Sequence, residues 1–214
     1  MKAIVAMSSN CVIGNQGSLP WPTLKEDFHF FKNVTKNQKV VMGARTYRSL
    51  PRPYLSDRDI YAVSRTGQYY INKYPLVNCN VHHVSFKDPI PQNFPHKDSW
   101  LCGGSELYSF FLPICTDLYL TIVLDDYEGD VLMPAFEHLF SQQRLIKEYS
   151  NMWIVHYWNR TSLIDESYRD GFDVKLSGQP NHNPYEHDAP ASSEIRQKAI
   201  DKWNTGYKDS PTLL

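Results

Sequence analysis

Val40-Val41-Met42-Gly43-Ala44-Arg45-Thr46 and, further along, Trp100-Leu101-Cys102-Gly103-Gly104-Ser105 share one design. Each is a short apolar run that ends in glycine and passes into a helical stretch. Runs this short, rich in β-branched and aromatic residues, read as buried strands. Glycine at the strand end lets a phosphate approach the backbone, and the helix that follows offers free N–H groups. Ile60-Tyr61-Ala62-Val63-Ser64, followed by Arg65, is a third strand end of this kind. Ile4-Val5-Ala6 and Leu118–Val123 add further strands. Between them, Leu24–Val34, Thr46–Leu50 and Ser105–Leu112 have helical character, with Leu24, Phe28, Phe31 and Val34 on one face of the first. This alternation predicts an α/β fold with a mixed, mostly parallel sheet. Gln143–Tyr149 and Met152–Asn159, separated by Ser150-Asn151, read as a closing hairpin. Residues 66–98 contain four prolines and are expected to be irregular.

The chain has 214 residues, 22 Lys+Arg against 23 Asp+Glu, and a formal net charge of -1. That balance argues against a globally basic nucleic-acid binder. No run reaches the ~18 apolar residues of a membrane span, and Met1–Met7 reads as a buried strand rather than an export signal. A cytoplasmic protein with four free cysteines is expected. The cysteines form no CxxC pair and the histidines no HExxH motif, so no metal is expected. Composition breaks near residue 160. Residues 161–214 carry six basic and nine acidic residues, which leaves sixteen and fourteen in residues 1–160. The expected organisation is a domain over 1–160 and a small helical appendage over 161–214. In the appendage Ser192-Ser193-Glu194 introduces Ile195, Ala199 and Trp203 at four-residue spacing.

Chemistry concentrates in residues 1–160. Val12-Ile13-Gly14 leads into a loop with Gly17 and Leu19-Pro20-Trp21-Pro22, either a lid over a pocket or a plain turn with Trp21 packed inward. Asp27 adjoins the Phe28 and Phe31 stripe, where partial desolvation raises a carboxyl pKa and lets it hold a proton. Three phosphate-friendly strand ends fit a ligand lying across the carboxyl edge of an open sheet. The GxGxxG fingerprint of a standard dinucleotide fold is absent.

Taken in order, Ile13-Gly14, Leu19-Pro20-Trp21, Asp27-Phe28-x-x-Phe31-Lys32, Val41-Met42-Gly43-x-x-Thr46-Tyr47-x-Ser49-Leu50 and Arg52-Pro53 resemble the dihydrofolate reductase family. So do Arg58-Asp59-Ile60, Ser64-Arg65, Gly103-Gly104-x-x-x-Tyr108, Leu118-Tyr119-Leu120-Thr121, Glu128-Gly129-Asp130 and Met133-Pro134, and the likeness covers about residues 1–160. The resemblance implies NADPH-dependent reduction of 7,8-dihydrofolate to tetrahydrofolate, by hydride transfer to pterin C6 with protonation at N5. It implies Asp27 as the one carboxylate of the pterin pocket, with Thr121 bonded to it, and Trp21 and Leu19 on a mobile loop over the nicotinamide; these four and Tyr108 make up the implied catalytic set. Val5, Ala6, Phe28, Phe31 and Leu50 would hold the pterin and benzoyl rings, with Tyr54 or, in preference, Leu55 a further benzoyl contact. Arg58 would pair with the α-carboxylate of the glutamate tail. Ala6, Ile13, Gly14 and the run Cys102, Gly103, Gly104, Ser105, Glu106, Leu107 and Tyr108 would surround the nicotinamide and pyrophosphate, with Gly103-Gly104 cis. Gly43, Arg45, Thr46, Ser64 and Arg65 would meet the phosphates, including the 2′-phosphate. Ala44 stands where the family usually has a basic residue, and the stretch before Arg58 lacks the family's glycine.

Two other readings share these residues: a pyrimidine reductase of riboflavin synthesis, with the same fold and cofactor, and a binding protein that kept the fold. The Pro20-Trp21 loop with Asp27 and Phe31 favours folate, and the intact Asp27, Thr121 and Gly103-Gly104 speak against the binding protein. In the tail, Gly171-Phe172, Gly178, Asn183-Pro184-Tyr185 and Trp203-x-x-Gly206-Tyr207 resemble the ribosome modulation factor family. This implies a ribosome contact, set against self-association or docking on the first domain, and the acidic charge suits RNA poorly.

Overall fold

In the computed structural model the described residues are 1–51, 55–65, 79–85, 94–95 and 98–159. The alternation of apolar runs and amphipathic stretches folds into one large sheet. Its strands are β1 (Lys2–Ser8), β3 (Lys39–Gly43), β4 (Asp59–Ser64), β5 (Asn80–Ser85), β6 (Ser99–Leu101), β7 (Asp117–Val123), β9 (Gln142–Glu148) and β10 (Met152–Trp158). They lie in the order β5-β4-β3-β6-β1-β7-β10-β9. All pairings from β5 through β7 are parallel, while β10 and β9 close the edge antiparallel. The Ser150-Asn151 turn joins the last two strands as expected. A two-stranded ribbon, β2 (Val12–Gly14) with β8 (Val131–Leu132), stands apart from the large sheet.

The central strands are apolar on both faces because elements cover both sides. One face carries Ala3, Val5, Met7, Val41, Leu101, Leu118, Leu120 and Ile122 against Leu107, Tyr108 and Phe111 of α3 (Ser105–Phe111). The other carries Ile4, Val40, Met42, Ile60, Tyr119 and Ile154 against Phe30 and Val34 of α1 (Lys25–Thr35) and Tyr47 of α2 (Ala44–Ser49). No helix among the described residues is long and apolar enough to cross a membrane.

Several boundaries and faces differ from the sequence reading. α1 begins after Leu24, and its inward residues are Phe28, Phe30, Val34 and Thr35, with Phe31 only partly buried. Phe30, which the stripe omitted, reaches Tyr119 at a ring distance of 6.1 Å. Phe28 and Phe30 are both buried although two residues apart, so the buried face is wider than a single 3.6-residue stripe. The expectation of irregular structure throughout 66–98 is corrected by β5, which runs parallel to β4 from Asp59↔Asn80 to Ser64↔Ser85. Its Asn-Val-His-His-Val-Ser sequence conceals the alternation, and pairing with β4 supplies the backbone bonds that hold it extended. Leu55 is fully buried in the α1-side core, so it offers no surface to a benzoyl ring. Arg52-Pro53, Tyr54 and the whole of 161–214, including the expected tail helix and its family resemblance, lie outside the described residues.

Candidate active site

The parallel strands deliver their functional residues at one edge of the sheet. β1 and β7 pair with Ala6 opposite Thr121. Ala6 is the partly exposed position between Val5 and Met7, which are both buried, so the strand is open there. On the far side of β1, the strand ends of β3 and β6 are stitched together. Cys102 N–H donates to Val41 O at 2.8 Å, and Gly43 N–H donates to Gly103 O at 2.7 Å. The Gly103-Gly104 peptide is cis, as expected. A Cβ on Gly103, where φ is +95°, would lie 3.2 Å from the Tyr108 ring, and one on Gly104 would lie 3.3 Å from Thr46 Oγ1. The two glycines therefore bring α2, α3 and two strand ends closer than side chains would permit.

Asp27 sits in the first turn of α1. Its carboxyl is hydrogen-bonded to the Thr121 side chain, and burial pushes its pKa up to about 6 against the smaller lowering effect of that bond. A carboxyl poised in this range holds or releases a proton near neutral pH. Tyr108 Oη donates to Ile4 O at 2.6 Å, which fixes the α3 ring against β1, and burial raises its pKa further. The hydroxyl is thus a backbone anchor and not a proton source.

The loop after β2 is more ordered than its Gly/Pro punctuation suggests. Asn15 and Ser18 exchange backbone bonds of 2.9 Å across Gln16 and Gly17, both with positive φ, the geometry of a two-residue hairpin turn. Asp130 then binds this loop twice: Gln16 N–H donates to its carboxylate at 3.0 Å, and its own N–H donates to Gly14 O at 3.1 Å. Trp21 is packed inward, 5% exposed, edge-on to Tyr127 at 5.8 Å. Its Nε1 is buried with no hydrogen-bond partner. Leu19 is exposed on the same segment.

At the end of α1, Arg58 is 3% exposed. Its Nε donates to Thr35 Oγ1 at 2.9 Å, one Nη to Lys32 O at 2.9 Å and the other to Ser56 O, and the guanidinium lies over Phe31 at 5.5 Å. Thr35 Oγ1 in turn donates to Phe31 O at 2.6 Å. Among the described residues, two of the five guanidinium N–H donors have no partner, and no carboxylate forms an ion pair with it. Burial lowers the Arg58 pKa, as it must for a desolvated cation. Leu50, partly exposed, packs at the rim of the same core. At the outer strand ends, Ser64 Oγ is buried without a partner, and Arg65 beside it reaches Glu106 Oε1 at 3.7 Å. Ser105 Oγ donates to Leu132 O at 2.8 Å, so it braces the β2–β8 ribbon.

A family model described as dihydrofolate reductase matches residues 1–152. The chain belongs to the dihydrofolate reductase family. The dihydrofolate reductase of Mycoplasma pneumoniae is 34% identical over 151 residues, which cover 70% of this chain and 91% of that one. The Bos taurus dihydrofolate reductase is 30% identical over 167 residues, 70% of this chain and 85% of that one. Among solved structures, a dihydrofolate reductase from Enterococcus faecalis, complexed with NADP(H) and RAB-propyl, covers 74% of this chain and 96% of its own. Its TM-score is 0.54 at 23% identity, a likeness of fold. As a dihydrofolate reductase the chain is an oxidoreductase. Thr35, absent from the sequence reading, and Asp130, quoted there only as part of a motif, are its added site-supporting residues. Nothing in the local sequence marks Thr35. It emerges only because α1 ends over Arg58.

Proposed function

We propose that this edge of the sheet binds 7,8-dihydrofolate against NADPH, with Asp27 and Thr121 directing the proton. The reaction is NADPH-dependent reduction to tetrahydrofolate. NADPH, when bound, supplies a hydride from its nicotinamide, which forms the new C–H bond at pterin C6 while N5 takes a proton.

The residues fit that cofactor on two observations. Ser64 has a buried hydroxyl without a partner, beside the Arg65 cation, as a phosphate oxygen needs. Gly43, Gly103 and Gly104 join the two strand ends by direct backbone contact, leaving no Cβ between a pyrophosphate and the backbone there. Gly43, Arg45, Thr46, Ser64 and Arg65 would hold phosphates, and Ala6, Ile13, Gly14, Cys102–Ser105, Leu107 and Tyr108 the nicotinamide side, while Glu106 faces Arg65. On the substrate side, the Asp27 carboxylate accepts hydrogen bonds from the pterin ring, Thr121 orients that carboxylate, and the resulting negative charge favours the protonated N5. Val5, Phe28, Phe31 and Leu50 supply apolar walls. Arg58, a buried cation without a paired carboxylate among the described residues, suits the α-carboxylate of the glutamate tail, because a buried charge is stabilised chiefly by an ionic partner. Trp21, packed inward, and the exposed Leu19 would keep water from the site.

The carrying observation is the Asp27 carboxyl, desolvated to a pKa of about 6 and bonded to Thr121. Purified protein given dihydrofolate and NADPH should show loss of nicotinamide absorbance. No turnover anywhere from about pH 5 to 8, the range that brackets the Asp27 titration, would sink the assignment.

Residues 161–214 form an appendage beyond the reductase unit, consistent with a family match that stops at residue 152. Its acidic balance favours docking or self-association over a ribosome contact. A chain ending at Arg160 should remain folded and active; inactive or insoluble protein would make the tail part of the core. The location is read as cytoplasmic from the four cysteines, all of them free thiols.

A further inference from the structure

We infer that Glu106 is a counter-charge that competes with the cofactor's 2′-phosphate for Arg65, and so sets how strongly this enzyme prefers NADPH over NADH. The inference rests on the reading of Ser64 and Arg65 as the phosphate grip. Arg65 leaves the end of β4 and Glu106 lies in the first turn of α3, so the two belong to different strand ends. They meet at 3.7 Å with side chains 73% and 78% exposed. Among the described residues this is the one carboxylate ion-paired with Arg65. The neighbouring Ser64 hydroxyl is buried and unpartnered, so a hydrogen-bond donor for the phosphate is in place while the cation is turned to a carboxylate.

A phosphomonoester carries nearly two negative charges at neutral pH. Bound at Ser64, it must draw Arg65 from Glu106 or share it, and it places its own charge near that carboxylate. NADH has no phosphate there and meets neither effect. Glu106 therefore weakens the phosphorylated cofactor selectively. Exposed ion pairs are weak and salt-screened, so the effect is a factor of about two to five.

The test measures dissociation constants of NADP+ and NAD+ by calorimetry on the full chain, with Glu106→Gln, Arg65→Gln and the double variant. All three changes are at exposed positions, and unchanged thermal midpoints verify folding. Glu106→Gln should tighten NADP+ about two- to fivefold and leave NAD+ unchanged, with the gain shrinking as salt rises. Arg65→Gln should weaken NADP+ selectively, and in its background Glu106→Gln should gain less than it does alone. Weaker NADP+ binding by Glu106→Gln would mean that the carboxylate orients Arg65 for the phosphate, and the inference fails. Equal changes for both cofactors, or none, would also overturn it. If Arg65→Gln leaves the NADP+ to NAD+ ratio untouched, the phosphate reading itself fails, and the inference with it.

Discussion

Arg58 Nε donates to Thr35 Oγ1 at 2.9 Å, and the same hydroxyl donates to Phe31 O at 2.6 Å. One buried threonine thus joins the last turn of α1 to the cation read as the carboxylate anchor. Thr35→Val removes an acceptor of the same shape and leaves a buried N–H unpaired, which costs about 1–3 kcal/mol. The KM for dihydrofolate should rise about three- to tenfold with kcat nearly unchanged, and a pterin lacking the glutamate tail should show no change. Thr35→Ser should restore the KM. A loss confined to kcat would mean that Thr35 acts on the helix as a whole.

Asp27→Asn keeps the shape and removes the charge. Activity at neutral pH should fall at least about a hundredfold, in the range typical of lost proton direction. Activity should rise again as pH drops and substrate arrives already protonated. A pH profile parallel to the wild-type one would exclude Asp27 from proton direction.

The same substitution has the opposite sign for stability. Burial raises the Asp27 pKa from 3.8 to about 6, so between these values the folded state binds more protons than the unfolded one. Stability from this group is therefore fullest below about pH 4 and is lost as pH rises through about 6. The amide that replaces the carboxyl does not titrate. Relative to wild type, the stability of the Asp27→Asn variant should increase by about 1–3 kcal/mol on going from pH 4 to pH 7, discounted for the carboxyl's contact with the cleft. Urea unfolding at the two pH values measures it, and a pH-independent difference would contradict the raised pKa.

Gly129 supports the loop from below. A Cβ there would stand 2.2 Å from Val12 Cγ1 and 2.4 Å from Gly14 O. Gly129→Ala must push apart the segment that Asp130 binds, costing about 1–3 kcal/mol of overpacking. The thermal midpoint should fall by about 3–10 °C, and NADP+ binding should weaken. Asp130→Asn, which keeps the backbone, should lower NADP+ affinity with a smaller thermal shift.

Much of this site was legible in the sequence because its parts are local. Gly43, Gly103 and Gly104 announce close approach, Ser64-Arg65 announces an anion, and Asp27 beside Phe28 announces a desolvated carboxyl. The pairing of Phe30 with Tyr119 was not legible, because α1 buries a face wider than one stripe and the partner ring lies far along the chain. Nor was β5, whose two histidines and terminal polar residues hide a strand that exists through its partner β4. Leu55 was misplaced because an apolar residue near Arg58 looks the same in sequence whether it lines a cleft or fills a core.

The class of fold, the succession of strand ends along the chain and the residue types able to meet phosphates and a pterin are all legible in the residues alone. These follow from periodicity, glycine positions and charge, all properties of neighbours along the chain. Folding alone brings Ala6 opposite Thr121, Thr35 onto Arg58, Asp130 onto Gln16 and Arg65 toward Glu106. Each joins residues distant along the chain, and their meeting depends on sheet order and register, which no local pattern encodes.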